Sequence, residues 1–304
     1  MSLTVPTAPV DLTGDPRRRR KERAIRSGFL ATALASVVIS ALIVLSLFGK
    51  GWEFIAGVEW SSLLAPAWNP RAGEFGIPTI LAGSLIVTAI GMVVALPVGL
   101  ASAVYLSEYA RPRTRRVLKP VLEIIAGVPS VVLGYFALVW IAPNVLGQTN
   151  GSFAAAGLAV GVLIIPLVAS VSEDAMNSVP DALREASAGL GAPKRTTTLK
   201  VVLPAALSGL VAAAILAVSR ALGETMVVFI AGGAADTSRF TADPLDGGLT
   251  MTAAMASLAK GTDQVKGEGL AYPSLFFVGI VLFAFTMGLN LLADRFVRRF
   301  RQAY

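Results

Sequence analysis

Arg220 and Glu224 stand one helical turn apart in a hydrophobic stretch that begins at Val201 and carries no other charge before Asp236. An ionised group at bilayer depth costs roughly 2.5 to 3.5 kcal/mol on insertion scales and is tolerated where it pairs or lines a polar path. A spacing of four residues puts both side chains on one helix face, so an intrahelical ion pair is expected. The guanidinium suits a tetrahedral oxyanion, because its planar fork donates two parallel hydrogen bonds and keeps its proton. Glu224 repels an anion. Three roles are open for it: to hold Arg220 between binding events, to orient the guanidinium and exchange partners as the helix moves, or simply to pack helices together.

Other polar residues at depth are weaker candidates. Thr225 adjoins the pair and can donate to an anion or to a carbonyl of its own helix. Glu123 follows Lys119 at the start of an apolar stretch, and Pro129-Ser130 interrupts that stretch, freeing backbone groups that can face a cavity. A purely structural kink is the other reading of Ser130. Ser84 and Thr88 share a face but read as small residues that permit close helix packing.

These residues must be positioned by membrane helices. The chain has 304 residues, 55% hydrophobic and 15% charged, whereas a soluble domain carries about 25% charged residues. It contains no Cys and no His, which removes disulfides, thiol nucleophiles, thiolate metal sites and the usual proton shuttle. Stretches near 27–49, 79–102, 121–141, 153–171, 203–232 and 271–292 each supply the roughly 20 apolar residues that a span needs. The first follows a basic segment, but its apolar run from Phe29 to Phe48 is too long for a signal peptide and its small-residue pair Ala33/Ala35 lies too early for cleavage; it reads as a retained anchor.

Counting Lys and Arg in alternate loops orients the spans. Seven lie in the amino-terminal tail, five after span two, four after span four and four at the carboxyl end, against five on the opposite side. Both termini are therefore expected in the cytoplasm. The Arg17–Arg26 cluster reads as a topology signal beside the negative leaflet rather than as a nucleic-acid site. The expected organisation is a basic tail (1–26), a first span (27–49), an external segment (50–78) with Trp52, Trp60 and Trp68 as interface anchors, a five-span core (79–294) and a cytoplasmic tail (295–304). An external loop, 233–270, includes an apolar stretch at Met251–Ala259 that either covers the pathway or receives a partner. The tail before Pro16 has no periodicity and is expected to be irregular.

The loop after span four is more organised than a connector. Pro180 suits a helix start, Asp181 and Glu185 lie near the amino end, Gly191 supplies a left-handed stop, and Pro193 starts a second helix leading to Pro204. The sequence runs Glu185-Ala186-Ser187, three residues, Gly191, nine residues, then Val201-Val202-Leu203-Pro204. This resembles the EAA loop of ABC-importer permeases, with Ser in place of the second Ala and Val in place of Ile. The resemblance implies that Glu185, Ala186, Ser187, Gly191, Leu203 and Pro204 shape a helix that docks on a separate ATPase. No G-x-x-x-x-G-K-[ST] is present to cradle a triphosphate.

The run Arg220-Ala221-Leu222-Gly223-Glu224-Thr225-Met226 looks like the R-A-x-G-E-T-M segment of phosphate-importer permeases, and its R-A-L-G-E core also occurs in sulfate and molybdate permeases. Phe75-Gly76-Ile77, Pro97-Val98-Gly99-Leu100, Tyr105-Leu106-Ser107-Glu108-Tyr109 and Glu123 through Gly127-Val128-Pro129-Ser130 to Gly134 extend the likeness over about 75–228. With Trp68-Asn69-Pro70, these resemble the C-type (PstC) subunit more than the A-type. The resemblance implies an all-α membrane protein of six transmembrane helices with type I ABC-importer permease architecture and cytoplasmic coupling helices. It also implies an A-type permease partner, two ATPases carrying ATP and Mg²⁺, an external phosphate-binding protein, and no cofactor on this chain. Arg220 and Glu224 would then serve transport in a plasma (inner) membrane. A sulfate or molybdate importer is the alternative within transport. A gradient-driven transporter is disfavoured because no matching broken helices are evident in two halves, and a membrane-embedded enzyme because His, Cys and a metal cluster are lacking.

Overall fold

The computed structural model describes residues 16–233, 238–259 and 269–300. The expectation of an irregular tail before Pro16 falls outside these residues. The chain divides into two compact units, Met1–Gly49 and Lys50–Tyr304. The first unit holds most of α1 (Pro16–Gly57), a single helix whose apolar side chains from Phe29 to Phe48 are mostly exposed. It extends the expected span at both ends, since no proline lies between Arg20 and Gly57 to break helical geometry.

In the second unit, α2 (Ile77–Val104) continues through a π turn at Tyr105–Tyr109, and α3 (Pro112–Ala126) is followed by α4 (Ser130–Phe136), a π turn at Ala137–Ile141 and α5 (Ala142–Val145). Then come α6 (Phe153–Asn177), α7 (Asp181–Gly189), α8 (Lys194–Thr197), a π turn at Thr198–Val202, α9 (Leu203–Leu222), α10 (Met226–Ala231), α11 (Met251–Ala259) and α12 (Ala271–Phe300). Five helices among the described residues are long and apolar enough to cross a membrane, or six when the bent pair α3 and α4–α5 counts as one span.

The centre is the pair α2 and α6, onto which α9 packs. Glycines allow the approach: a Cβ on Gly161 would lie 3.0 Å from the carbonyl oxygen of Gly91, and small residues are what bring membrane helices together where lipid supplies no hydrophobic drive. Val87, Ala95, Val160, Ile164, Ala217 and Val227 form the resulting core. A second cluster unites Phe54, Trp68, Phe75, Ile80, Met251 and Val278, and a third joins Ala103, Met176, Val179, Val202 and Ala206.

Several boundaries differ from expectation. The stretch read as span three is two helices bent by 82° at Gly127-Val128-Pro129. Pro129 lacks an N–H and its ring disfavours helical geometry at Val128, so α3 stops before it and α4 starts after it. Span five is also interrupted, at Gly223-Glu224-Thr225. The first of these breaks falls at the Pro129 interruption expected from the sequence, and the second, at 223–225, was not anticipated. Helix α12 continues through 295–300, and α1 through 50–57.

The external segment is not wholly helical. β1 (Ala67–Asn69) pairs antiparallel with β2 (Glu74–Phe75) and β3 (Ser238–Arg239), with Trp68 opposite Phe75 and Ala67 opposite Arg239. Trp68 is fully buried, edge-on to Phe75, so it anchors this small sheet to the core and not to a lipid interface. Trp52 and Trp60 are exposed, as an interface anchor requires.

Candidate functional site

Arg220 lies in the last turn of α9, and the helix ends two residues later. Its Nη1 donates to Glu224 Oε2 at 2.5 Å. The two environments are opposite: the Arg220 side chain is 48% exposed and the Glu224 side chain 4%. The carboxylate sits behind the cation, in a tightly packed space lined by Ser84, Val87, Thr250 and Thr252. Glu224 needs its partner, because an unpaired carboxylate in that space would bear the full cost of desolvation.

The break that places Glu224 off the helix axis is held from outside. Thr252, in the first turn of α11, donates its hydroxyl to the Glu224 carbonyl at 2.7 Å, replacing the lost helical donor. The start of α11 is tied in turn to α2, since the Met251 amide donates to Ser84 Oγ at 2.9 Å. The apolar stretch Met251–Ala259 thus covers the back of the ion pair, with Met251, Ala253 and Ala254 fully buried. Beyond the break, α10 packs on α4: a Cβ on Gly134 would lie 3.0 Å from Val227 Cα and 3.2 Å from the Met226 carbonyl oxygen.

The exposed side of Arg220 faces a cleft of about 320 Å³, lined also by Lys119, Glu123, Ser170 and Glu173 together with apolar residues of α3 and α6. Its wall follows α6 from Leu163 to Glu173, about 15 Å at 1.5 Å per residue. Of the residues expected on the pathway, Arg220 and Glu123 meet here. Glu224, Thr225 and Ser130 are not in this wall. Glu224 is buried behind the cation, the Thr225 hydroxyl donates to the Gly223 carbonyl at 3.3 Å, and half-buried Ser130 begins α4. In this structure the Thr225 hydroxyl is engaged with its own turn and the 82° bend carries Ser130 out of line with α3.

Sequence reasoning missed the third charged position. Glu173 on α6 is 1% exposed and is reached by two cations of α3: Arg115, which donates to Oε1, and Lys119, whose Nζ lies 3.5 Å from Oε2. A signal was available, because Arg115, Lys119 and Glu123 recur every four residues and so lie on one face of α3. What the sequence does not carry is that this face turns toward α6.

The segment read as a docking loop forms as expected. α7 ends at Gly189, Gly191 takes the left-handed conformation at φ +77°, and Pro193 caps α8. Glu185 and Ala186 are exposed, available to a partner. Ser187, the departure from the Glu-Ala-Ala pattern, lies 2.8 Å from Thr197 Oγ1 and closes the helix-turn-helix. Leu203 packs against the cluster of Ala103, Met176 and Val202, and Pro204 follows the π turn Thr198–Val202 at the start of α9. Leu190 at the turn is 89% exposed, an apolar side chain presented beside Ala186 that was not singled out from sequence.

Comparison with known proteins gives a consistent picture. Residues 95–302 match the family described as "Binding-protein-dependent transport system inner membrane component". The chain is 33% identical over 247 residues to the "Probable ABC transporter permease protein YqgH" of Bacillus subtilis (strain 168), covering 78% of this chain and 79% of that one. It is 34% identical over 234 residues to the "Phosphate transport system permease protein PstA 1" of Mycobacterium tuberculosis (strain CDC 1551 / Oshkosh), with 76% of each covered. It is 29% identical over 280 residues to the "Phosphate transport system permease protein PstC" of Mesorhizobium japonicum (strain LMG 29417 / CECT 9101 / MAFF 303099), with 84% of each covered. Among solved structures, a bacterial alginate ABC transporter in complex with an alginate pentasaccharide-bound periplasmic protein has a chain that superposes with TM-score 0.66 at 11% identity, over 94% of this chain and 98% of that one. A chain of the MetNI methionine ABC transporter in an inward-facing conformation superposes with TM-score 0.54 at 22% identity, over 73% and 92%. At these identities the structures speak for the fold alone, which is that of ABC-importer permeases.

Proposed function

The chain belongs to the binding-protein-dependent transport system inner membrane component family, and from that premise we propose that it is the permease subunit through which inorganic phosphate crosses the membrane. The observation that carries the reading is the asymmetry of the ion pair in the second-unit cleft: a guanidinium half-exposed to a cavity, backed by a buried carboxylate. A fixed counterion lowers the cost of a cation at depth, and the outward face of the fork still has N–H groups to offer an oxyanion. Glu224 then acts by holding and orienting Arg220, not by touching the anion.

Phosphate is favoured over sulfate or molybdate by the Thr225-Met226 continuation of the motif and by the relatives named as phosphate permeases of both the A and C types. The resemblance to the C type implies a second, A-type permease, two ATPases and an external phosphate-binding protein as partners. ATP and Mg²⁺ would bind on the ATPases, with no cofactor on this chain. The excess of Lys and Arg in the loops after spans two and four supports a cytoplasmic coupling segment and cytoplasmic termini in a plasma (inner) membrane. Closure of the ATPases on α7 would move α9 and change the side from which Arg220 is reached.

The test is ATP-dependent uptake of radiolabelled phosphate into proteoliposomes holding the assembled transporter, with excess sulfate or molybdate as competitor. Uptake that resists both competitors supports the reading. Uptake abolished by sulfate, or driven by an ion gradient without ATP, overturns it.

A further inference from the structure

The cleft below Arg220 does not end at Glu173. A second cavity, of about 510 Å³, is lined by Arg115, Arg116, Lys119, Glu123 and residues of the α2 end, Leu106 and Ser107 among them. Lys119 and Glu123 belong to both walls. Among the residues lining the two cavities are four cations, Arg220, Lys119, Arg115 and Arg116, and two carboxylates, Glu123 and Glu173. The balance favours an anion, while the carboxylates keep it from being held permanently.

The pairing at Glu173 repeats the arrangement at Arg220. There the cation is 48% exposed and its carboxylate 4%; here Arg115 and Lys119 are 40% and 39% exposed and their shared carboxylate 1%. In both places the carboxylate is desolvated with its charge answered from one side, and the cations keep open faces toward a cavity. Lys119 is the looser member: at 3.5 Å its ammonium is beyond a good charge-assisted hydrogen bond and is free to take another acceptor. The buried Glu173 carboxylate needs a counterion, but Arg115 already supplies one, so tethering α3 to α6 leaves the second, looser cation Lys119 unaccounted for.

We propose that Lys119, Arg115 and Arg116 form a second oxyanion subsite at the mouth of the cleft, which a phosphate leaving Arg220 occupies, and that Glu173 closes this subsite by taking Lys119 and Arg115 when it is empty. The proposal rests on the phosphate-permease reading and deepens it by assigning residues to release. With the basic loop after span two on the cytoplasmic side, as its charge implies, the subsite would face the compartment into which phosphate is delivered, and phosphate already there competes for it. Lys119 and Glu173 then act with opposite sign: loss of the cation weakens the subsite, and loss of the competing carboxylate strengthens it.

The complete transporter, reconstituted with its partner permease, ATPases and binding protein and with ATP in the lumen, provides the experiment. Initial uptake of labelled phosphate is measured against increasing unlabelled phosphate in the lumen. For wild type, luminal phosphate inhibits. Lys119→Gln raises the half-inhibitory concentration roughly threefold to tenfold, the scale of one partly exposed charged donor; Lys119→Arg restores it, and Glu173→Gln lowers it by a similar factor. Shifts in the same direction for Lys119→Gln and Glu173→Gln, as a mere tether would give, overturn the proposal, as does uptake with no response to luminal phosphate. The same measurement in vesicles of phosphatidylcholine alone and with added phosphatidylglycerol separates free phosphate from a lipid headgroup: if the anionic lipid abolishes luminal inhibition in wild type, the cations belong to lipid and the proposal is wrong. Failure of the wild-type complex to take up phosphate overturns the parent reading and this proposal together. Normal uptake with unchanged half-inhibition overturns this proposal alone.

Discussion

Arg184 on α7 and Glu108 in the π turn at the end of α2 meet at 3.0 Å, with the Arg184 side chain 21% exposed and that of Glu108 6%. The same guanidinium donates to the carbonyls of Val179 and Met176, so it fastens the exposed docking helix to both long helices at the centre of the fold.

Removing one member of a mostly buried ion pair costs about 3 to 5 kcal/mol. Arg184→Gln is therefore expected to lower the thermal midpoint of the detergent-solubilised protein and, in the assembled transporter, to leave ATP hydrolysis less dependent on the loaded binding protein. Reversing the pair, Arg184→Glu with Glu108→Arg, should not restore coupling, because the two carbonyls lose their donor. Full coupling in the reversed variant would show that only the Coulomb attraction matters.

Arg220→Gln should reduce phosphate uptake by at least about tenfold, the value of a lost charge-assisted contact. It also strands Glu224 in its buried space, so Arg220→Gln with Glu224→Gln is the cleaner variant: stability returns and uptake does not. Exchanging the two residues moves the cation from a position 48% exposed to one 4% exposed. Uptake by the exchanged protein, measured as initial rate, would favour a pair that serves packing only.

Ala186→Trp places a large ring on the exposed face of α7. The expected result is normal insertion of the chain with a loss of copurifying ATPase on the order of tenfold, equivalent to about 1.4 kcal/mol of docking energy. Phosphate uptake at the wild-type rate would reject the docking role of this segment.

Gly134→Val is expected to push α4 away from α10, because the space beside Gly134 is already closed by Val227 Cα at 3.0 Å. Over-packing of this kind costs about 1 to 3 kcal/mol. The readouts are thermal stability in detergent and uptake at matched membrane levels, and both should fall.

Thr252→Val preserves shape while leaving the Glu224 carbonyl without its donor, a loss of about 1 to 3 kcal/mol for a buried acceptor. The helix break should then be less well held and uptake reduced, whereas Thr252→Ser should retain most activity. Equal uptake by both variants would show that the break is stable without α11.

Much of the architecture was legible because it depends on local properties. Long apolar runs specify membrane helices wherever they occur, and Pro180, Gly191 and Pro193 specify the turns of the docking segment through their own backbone geometry. The Arg220–Glu224 pair was legible from its spacing of four, although the two residues meet across the end of α9 rather than along one helix. Helix boundaries were less so. The interruption at Gly223–Thr225 is completed by Thr252, far along the chain, and Trp68 is buried by a strand pairing that no local signal announces.

By itself, the sequence determined a multi-span helical protein with a basic loop pattern, a helix-turn-helix after span four and one guanidinium within an apolar stretch, because hydropathy, spacing and turn residues act within a few positions of themselves. Only the tertiary structure decided that α3 bends by 82°, that its face of Arg115, Lys119 and Glu123 meets Glu173 on α6, and that this face opens onto the cleft of Arg220. Those relationships join residues far apart in the chain, and they follow from close helix packing that a one-dimensional pattern permits but does not specify.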